Sequence, residues 1–153
     1  MAVILVTYHS QGGNTRRMAE SAAAGAGDTD TGSAVLKAAG ETTLEDLRLC
    51  DGIILGSPEY FGYMAGMIKD FFDRTYEVAA ANVNEFRKPY ALFISAGNDG
   101  RNTEVQMERI LKGFPFKKVY ETVICRGPIR DDILDRCFEM GQTLAAGCDL
   151  GIY

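Results

Sequence analysis

The run Ala2–Tyr8 constrains the fold more than any other part of the sequence, because its β-prone apolar residues do not alternate with polar ones. A strand with one face in water alternates, whereas a strand in the middle of a parallel sheet is apolar on both faces. The segments Asp51–Ser57 and Tyr90–Ser95 have the same character. We therefore predict a parallel sheet with helices on both of its faces.

Between these strands, apolar residues recur at the three- and four-residue spacing of amphipathic helices. One such helix begins near Asn14, another follows Met64, and the last begins near Asp131. The segments Val35–Ala39 and Val119–Cys125 indicate two weaker strands, the second of them at an edge. Strands that alternate with helices, without repeats or linkers, predict one doubly wound α/β domain over residues 1–153 with right-handed crossovers.

A further helix is expected after the strand that ends at Ser95. Thr103 and Gln106 have the spacing of a capping box, which places the start of this helix at Thr103. Val105, Ile110 and Leu111 are then expected to face the core.

The charge and hydropathy of the chain argue against two classes of partner, nucleic acids and membranes. With 16 Lys and Arg against 21 Asp and Glu, the net charge is -5, so nucleic acid is not expected as the main partner. The apolar runs fall far short of the roughly 20 residues that cross a bilayer, and the N-terminus has no basic leader or cleavage site. We expect a soluble, cytoplasmic protein without a membrane partner.

The four cysteines do not form a recognisable ligand or redox motif. Cys50, Cys125, Cys137 and Cys148 lie too far apart in the sequence for C-x-x-C pairs, and four thiols do not make a disulfide scaffold in a chain of 153 residues. We interpret them as small buried hydrophobic residues in a reducing compartment, and we predict no metal site.

Three turns follow the predicted central strands, at Tyr8–Thr15, Ser57–Met64 and Ser95–Arg101. Doubly wound sheets bind their ligands beyond the carboxyl ends of the strands, where the strand order reverses. The three turns are therefore expected to converge on one ligand.

The first turn has the composition of a phosphate-binding loop without a cationic side chain. Gly12 and Gly13 permit a tight backbone, and Ser10, Asn14 and Thr15 supply polar groups beside the free N–H groups of a helix start. The lysine of a P-loop and the G-x-G-x-x-G dinucleotide motif are both absent. On this turn alone, an ordinary strand-to-helix turn with Ser or Asn caps remains an alternative.

The second and third turns suit a flat ring. Tyr60, Phe61 and Tyr63 form an aromatic cluster that is costly to leave in water, although a loop packed on the core or a protein interface would also explain it. The third turn, from Ser95 to Arg101, offers small residues and backbone N–H groups, but glycines and Asn-Asp at the end of a strand are more often only a turn. A phosphate loop combined with two such walls favours FMN, a flat ring that a ribityl chain joins to a single phosphate.

In the order and spacing of its motifs, the sequence resembles the flavodoxin-like flavoproteins. Gly56-Ser57-Pro58-Glu59-Tyr60 is similar to the NAD(P)H-dependent FMN reductases. Phe61-Gly62 with Met64 and Gly66 resembles the tryptophan-repressor-binding-protein type of NAD(P)H:quinone oxidoreductase. The matching segments extend over nearly the whole chain: Val3–Thr15, Glu45–Leu47, Asp51–Gly62, Lys69–Arg74 and Lys88–Gly97.

The resemblance implies a five-stranded parallel sheet of order 2-1-3-4-5 that binds FMN without a covalent link. FMN then carries the chemistry, and no residue is expected to act as a catalyst. The implied phosphate residues belong to the first turn, and the implied ring-binding residues belong to the second and third. These residues are Ser10, Gln11, Gly12, Gly13, Asn14, Thr15, Pro58, Glu59, Tyr60, Phe61, Gly62, Tyr63, Ser95, Ala96, Gly97, Asn98, Asp99 and Gly100.

Two functions are compatible with this resemblance. The first is an oxidoreductase that accepts hydride from NAD(P)H onto FMN and reduces a quinone, a flavin or another small acceptor. The alternative is a flavodoxin-type carrier that moves single electrons between redox proteins. In that case the charges of Glu59 and Asp99 near the ring would disfavour its anionic reduced form.

An incompletely covered aromatic turn would also favour a homodimer with the flavin near the interface. The residues that would form this apolar patch are Tyr60, Phe61, Tyr63, Met64 and Met67.

Overall fold

The computed structural model describes residues 1–153 as a parallel sheet with helices on both faces. Three long strands form its centre: β1 (Ala2–Tyr8), β3 (Gly52–Tyr60) and β5 (Lys88–Ala96). Strand β2 (Gly32–Ala38) pairs with β1 at one edge. The other edge consists of two short strands, β6 (Phe116–Lys118) and β7 (Val123–Arg126), and both pair with β5. The strand order is β2-β1-β3-β5-β6, and β7 continues the edge beyond β6. When β6 and β7 are counted as one interrupted strand, this is the predicted five-stranded order, so the flavodoxin-like fold class is confirmed.

Six α-helices and a short antiparallel strand connect this sheet. Strand β4 (Tyr63–Met64) folds back on the end of β3, and a 3-10 turn follows β2 at Ala39–Glu41. None of the helices has the combination of length and hydropathy that crossing a membrane requires. The helices are α1 (Asn14–Gly27), α2 (Leu44–Leu49), α3 (Gly66–Ala81), α4 (Val83–Phe86), α5 (Arg101–Leu111) and α6 (Asp131–Asp149).

Each face of the sheet has its own hydrophobic core. On one face, Leu5 and Leu55 pack with residues of α3 such as Phe71. On the other face, Val6 and Ile54 pack with α1 and α6. The central strands are therefore buried on both sides, which is what the absence of apolar–polar alternation predicts.

Helices α1 and α6 cross so closely that glycine is required where they meet. A Cβ added to Gly141 would lie 2.0 Å from the carbonyl oxygen of Ala22, and one added to Gly25 would lie 1.9 Å from that of Phe138. The Ser21 hydroxyl also donates to the Leu134 carbonyl oxygen at 2.6 Å. This contact fixes where α1 lies on the sheet.

The predicted start of α5 is wrong. The helix begins at Arg101, directly after Gly100, whose φ of 69° is in the left-handed region that favours glycine. Thr103 lies inside the helix, where its buried Oγ1 has no hydrogen-bond partner, so Thr103 and Gln106 form no capping box. Val105 is 56% exposed and does not face the core. The backbone conformation at Gly100 decides the boundary, and the sequence pattern does not reveal it.

The predicted edge strand Val119–Cys125 is only partly correct. Strand β7 covers its second half, whereas β6 ends at Lys118, and the segment between them leaves the ladder. An edge strand has one neighbour only, so a break there sacrifices fewer hydrogen bonds than a break in a central strand.

The four cysteines are free thiols, as interpreted from their spacing. Cys50, Cys125 and Cys137 are buried, and Cys148 is half-buried. Burial raises the pKa of Cys50 and of Cys137 to about 12, because the thiolate loses its hydration. These two thiols therefore remain protonated at neutral pH and are poor nucleophiles.

The crossing of α1 and α6 leads to a stability prediction. Replacing Gly141 with Ala places a methyl group against the α1 backbone, which must shift, and we expect a loss of about 1–3 kcal/mol in the free energy of unfolding. Urea denaturation followed by circular dichroism measures this loss. Gly27→Ala is the matched control, because a Cβ at Gly27 meets no atom within 4 Å. If Gly141→Ala and Gly27→Ala unfold at the same urea concentration, glycine is not required at the crossing of α1 and α6.

Candidate cofactor site

The turn between β1 and α1 presents a group of unpaired backbone donors. The N–H groups of Gln11, Gly12, Asn14 and Thr15 donate to no backbone carbonyl. Gly13, at φ 97°, reverses the chain, and its own N–H donates to Ser10 Oγ at 3.1 Å. Because these donors lie at the positive end of the α1 dipole, the turn is suited to an anion.

The start of α1 is tied to the neighbouring turn by a buried hydrogen bond. Thr15 Oγ1 and Ser95 Oγ lie 2.8 Å apart, and both side chains are buried. Ser95 belongs to the end of β5, two strands away from β1 in the sheet. This hydrogen bond therefore fixes the distance between the first turn and the third turn.

The second turn is a tight hairpin between β3 and β4. Its two loop residues, Phe61 and Gly62, have φ values of 53° and 70°, and two successive positive values are typical of a type I′ turn. Phe61 is fully exposed to solvent. Tyr60 and Tyr63 instead pack against the core, and the His9 ring lies edge-on to Tyr60 at 6.1 Å.

Glu59 connects the second turn to the third. One carboxylate oxygen accepts from the Asn98 N–H at 2.8 Å, and the other accepts from the Gly100 N–H at 2.9 Å. Asp99 has a local role, since its carboxylate accepts from the Arg101 N–H at the start of α5. Both acidic side chains are therefore bound to backbone donors of the third turn.

The three turns enclose an open cavity of about 270 Å³ at the carboxyl edge of the sheet. The sequence predicts eleven of its twelve lining residues, and Gly127 is the exception. The lining residues are Ser10, Gln11, Gly12, Asn14, Thr15, Pro58, Glu59, Tyr60, Ser95, Ala96, Gly97 and Gly127.

Gly127 reaches the cavity because it follows β7. Its N–H donates to the Ala96 carbonyl oxygen at 2.9 Å, and its φ of 79° requires glycine. The Gly127-Pro128 dipeptide after a predicted strand is a turn signal that could have identified this fourth loop.

The other predicted site residues lie around the cavity and not in its lining. Gly13 belongs to the first turn but does not line the cavity, and Phe61, Gly62 and Tyr63 belong to the hairpin of the second turn. The N–H groups of Asn98 and Gly100 are already bound to Glu59, so these two donors are not free for a ring. Asp99 points its backbone carbonyl at Arg126, whose Nε donates to it at 3.1 Å.

The apolar patch predicted on the second turn is smaller than expected. Met64 is buried, and Tyr60 and Tyr63 are partly covered by the core, so Phe61 and Met67 are the exposed members. The homodimer proposed from this patch stays a prediction.

The cavity fits FMN in its donors and in its shape. Unpaired N–H groups together with the side chains of Ser10 and Asn14 suit a phosphate monoester, and no lysine or arginine lines the cavity. Pro58 and Tyr60 on one side, and Ala96 and Gly97 on the other, leave a slot between two turns. Such a slot suits a flat heterocycle that lies against the main chain.

Comparison with known proteins agrees with this geometry. A flavodoxin of Aquifex aeolicus is 29% identical over 161 aligned residues, which cover 95% of this chain and 86% of that protein. Among solved structures, the flavodoxin, WrbA-like protein of Agrobacterium tumefaciens superimposes with a TM-score of 0.82 at 23% identity, covering 98% of this chain and 99% of the other. Rubredoxin oxygen:oxidoreductase of Desulfovibrio gigas superimposes with a TM-score of 0.85 at 16% identity, and 98% of this chain matches 37% of that longer one. At these identities the two structural matches show the fold alone.

The family model is the more specific finding. Residues 27–123 match the model of the NADPH-dependent FMN reductases, and this range includes the second and third turns of the cofactor site. The chain therefore belongs to the NADPH-dependent FMN reductase family and is an FMN-binding protein with the flavodoxin-like fold.

Proposed function

We propose that this protein is an FMN-dependent reductase, which takes electrons from NAD(P)H and passes them to a quinone, a flavin or another small acceptor. The match of residues 27–123 to the NADPH-dependent FMN reductases carries this proposal, because it includes the second and third turns of the cofactor cavity. FMN, when bound, supplies the chemistry by accepting two electrons from one small molecule and delivering them to another.

The chain's own part is to bind and orient the cofactor. The N–H groups of Gln11, Gly12, Asn14 and Thr15 would hold the phosphate, and Pro58–Tyr60 and Ser95–Gly97 would line the two sides of the ring. The open cavity would leave part of the ring accessible to a donor and an acceptor that bind in turn.

The side chains at this edge support a role in binding and not in proton transfer. The Glu59 carboxylate is occupied by two backbone N–H groups, and the His9 ring packs against Tyr60. Of the cysteines, Cys50 and Cys137 remain protonated in the core.

A flavodoxin-type electron carrier is the second candidate. The similarity to the Aquifex aeolicus flavodoxin over 95% of the chain favours it. A carrier would stabilise a one-electron semiquinone and would not react with nicotinamide nucleotides, so the two functions differ in a measurable way.

We expect NADPH or NADH to bleach the flavin spectrum of the FMN-loaded protein within seconds under anaerobic conditions, because a reductase accepts electrons from its donor directly. Stopped-flow absorbance measures this reaction, with free FMN at the same concentration as the control. Failure of both nucleotides, together with a semiquinone that accumulates during dithionite titration, would reject the reductase and establish the carrier.

Glu59 gives a second prediction, because its carboxylate holds the third turn against the second. Replacing it with Gln removes one acceptor and the negative charge, and hydrogen bonds to charged groups contribute about 1.5–3 kcal/mol. We expect the Kd for FMN to rise roughly tenfold, measured by quenching of FMN fluorescence. Glu77→Gln removes an exposed carboxylate from α3 and serves as the matched control. Equal affinity for FMN in Glu59→Gln and the wild type would show that Glu59 does not organise the site.

A further inference from the structure

A second cavity of about 320 Å³ lies beside the start of α5 and shares no lining residue with the cofactor cavity. Its polar lining contains three arginines that come from three different elements: Arg101 from the start of α5, Arg126 from the end of β7, and Arg136 from α6. We refer to this cavity as the arginine cleft.

None of these three guanidinium groups forms a salt bridge. Two carboxylates, Glu104 and Glu121, also line the cleft. Glu104 is paired with Lys118 at 3.4 Å, and that lysine also contacts Glu108 on the same helix. The arginines therefore outnumber the carboxylates of the lining, in a chain whose net charge is -5.

The arginine cleft and the cofactor cavity are lined by nearby residues of the same two segments. Arg126 lines the cleft, and the next residue, Gly127, lines the cofactor cavity. The third turn divides in the same way, with Gly97 in the cofactor cavity and Arg101 in the cleft. Arg126 Nε donates to the Asp99 carbonyl oxygen at 3.1 Å and so links these two segments.

A buried hydroxyl without a partner lies in the lining of the cleft. Thr122 is 6% exposed, and its Oγ1 makes no hydrogen bond within the chain. Buried polar atoms are normally paired, and an unpaired one costs free energy.

We infer that the arginine cleft binds a phosphate group of the nicotinamide nucleotide while its nicotinamide ring contacts the part of the FMN ring that the open cofactor cavity leaves accessible. Guanidinium groups match phosphate in charge and in geometry, because each can donate two parallel hydrogen bonds. A nicotinamide nucleotide carries phosphate groups and a redox-active ring on one molecule, so neighbouring sites can bind both parts. This inference rests on the proposed reductase function, since it concerns the electron donor of that reaction.

The test measures binding of nucleotide fragments to the FMN-loaded protein by isothermal titration calorimetry. ADP carries the diphosphate that both donors share, and 2′,5′-ADP carries the phosphate that distinguishes NADPH from NADH. We expect Arg101→Gln and Arg136→Gln each to raise the Kd for at least one of them about tenfold. The fragment that is affected identifies the phosphate that the cleft binds.

Arg109→Gln is the matched control, because it removes the same charge from an exposed position of α5 outside the cleft. The two substituted cleft residues, Arg101 and Arg136, are exposed, so their substitution should not affect folding. In turnover, the cleft variants should raise the KM for the donor and leave kcat unchanged.

The two proposals can fail separately. If the wild type binds neither fragment, or if the cleft variants bind both as the wild type does, the cleft is not the phosphate site, even where NADPH reduces the flavin. If a fragment binds and the cleft variants weaken it, while neither nucleotide reduces the flavin, the cleft assignment stands as a nucleotide phosphate site and the reductase function fails.

Discussion

The close crossing of α1 and α6 is the constraint on which the cofactor site depends. Gly141 and Gly25 allow the two backbones to meet, and this contact fixes the second half of α1 on the sheet. The first turn of the same helix is fixed by the hydrogen bond between Thr15 and Ser95. Because both ends of α1 are held, its unpaired N–H groups keep one position at the carboxyl edge of the sheet, where a phosphate can use them without reorganisation.

Hydrogen bonds of the Glu59 side chain and of the Gly127 backbone connect the remaining turns to one another. Glu59 holds the third turn through Asn98 and Gly100, and Gly127 extends the same wall through Ala96. The loops at this edge are thus connected to one another and not only to their own strands. Preorganisation of this kind lowers the conformational entropy that is lost when a ligand binds.

Local sequence patterns predict the parts of this structure that are determined locally. The run Ala2–Tyr8, in which apolar residues do not alternate with polar ones, predicts a sheet buried on both faces. The glycines after this run predict the first turn. The partners of Glu59 lie about forty residues further along the chain, and no pattern near Glu59 indicates them. The arginine cleft escapes prediction for the same reason, since its three arginines converge only when β7 and α6 pack beside α5. The start of α5 was mispredicted because a left-handed glycine overrides an apparent capping box.

The local charge beside the cofactor cavity is compatible with the anionic donor of the proposed reductase function. An electron carrier uses exposed acidic groups to steer its partners, whereas Glu59 and Asp99 have a structural role here, since their carboxylates accept from backbone N–H groups of the third turn. The groups without ionic partners on this flank are instead Arg101, Arg126 and Arg136. At physiological ionic strength charges are screened beyond about 8 Å, so the net charge of -5 acts weakly on an approaching nucleotide. The arginines act at contact distance, where screening is weakest, and it is their local charge that a bound nucleotide would experience.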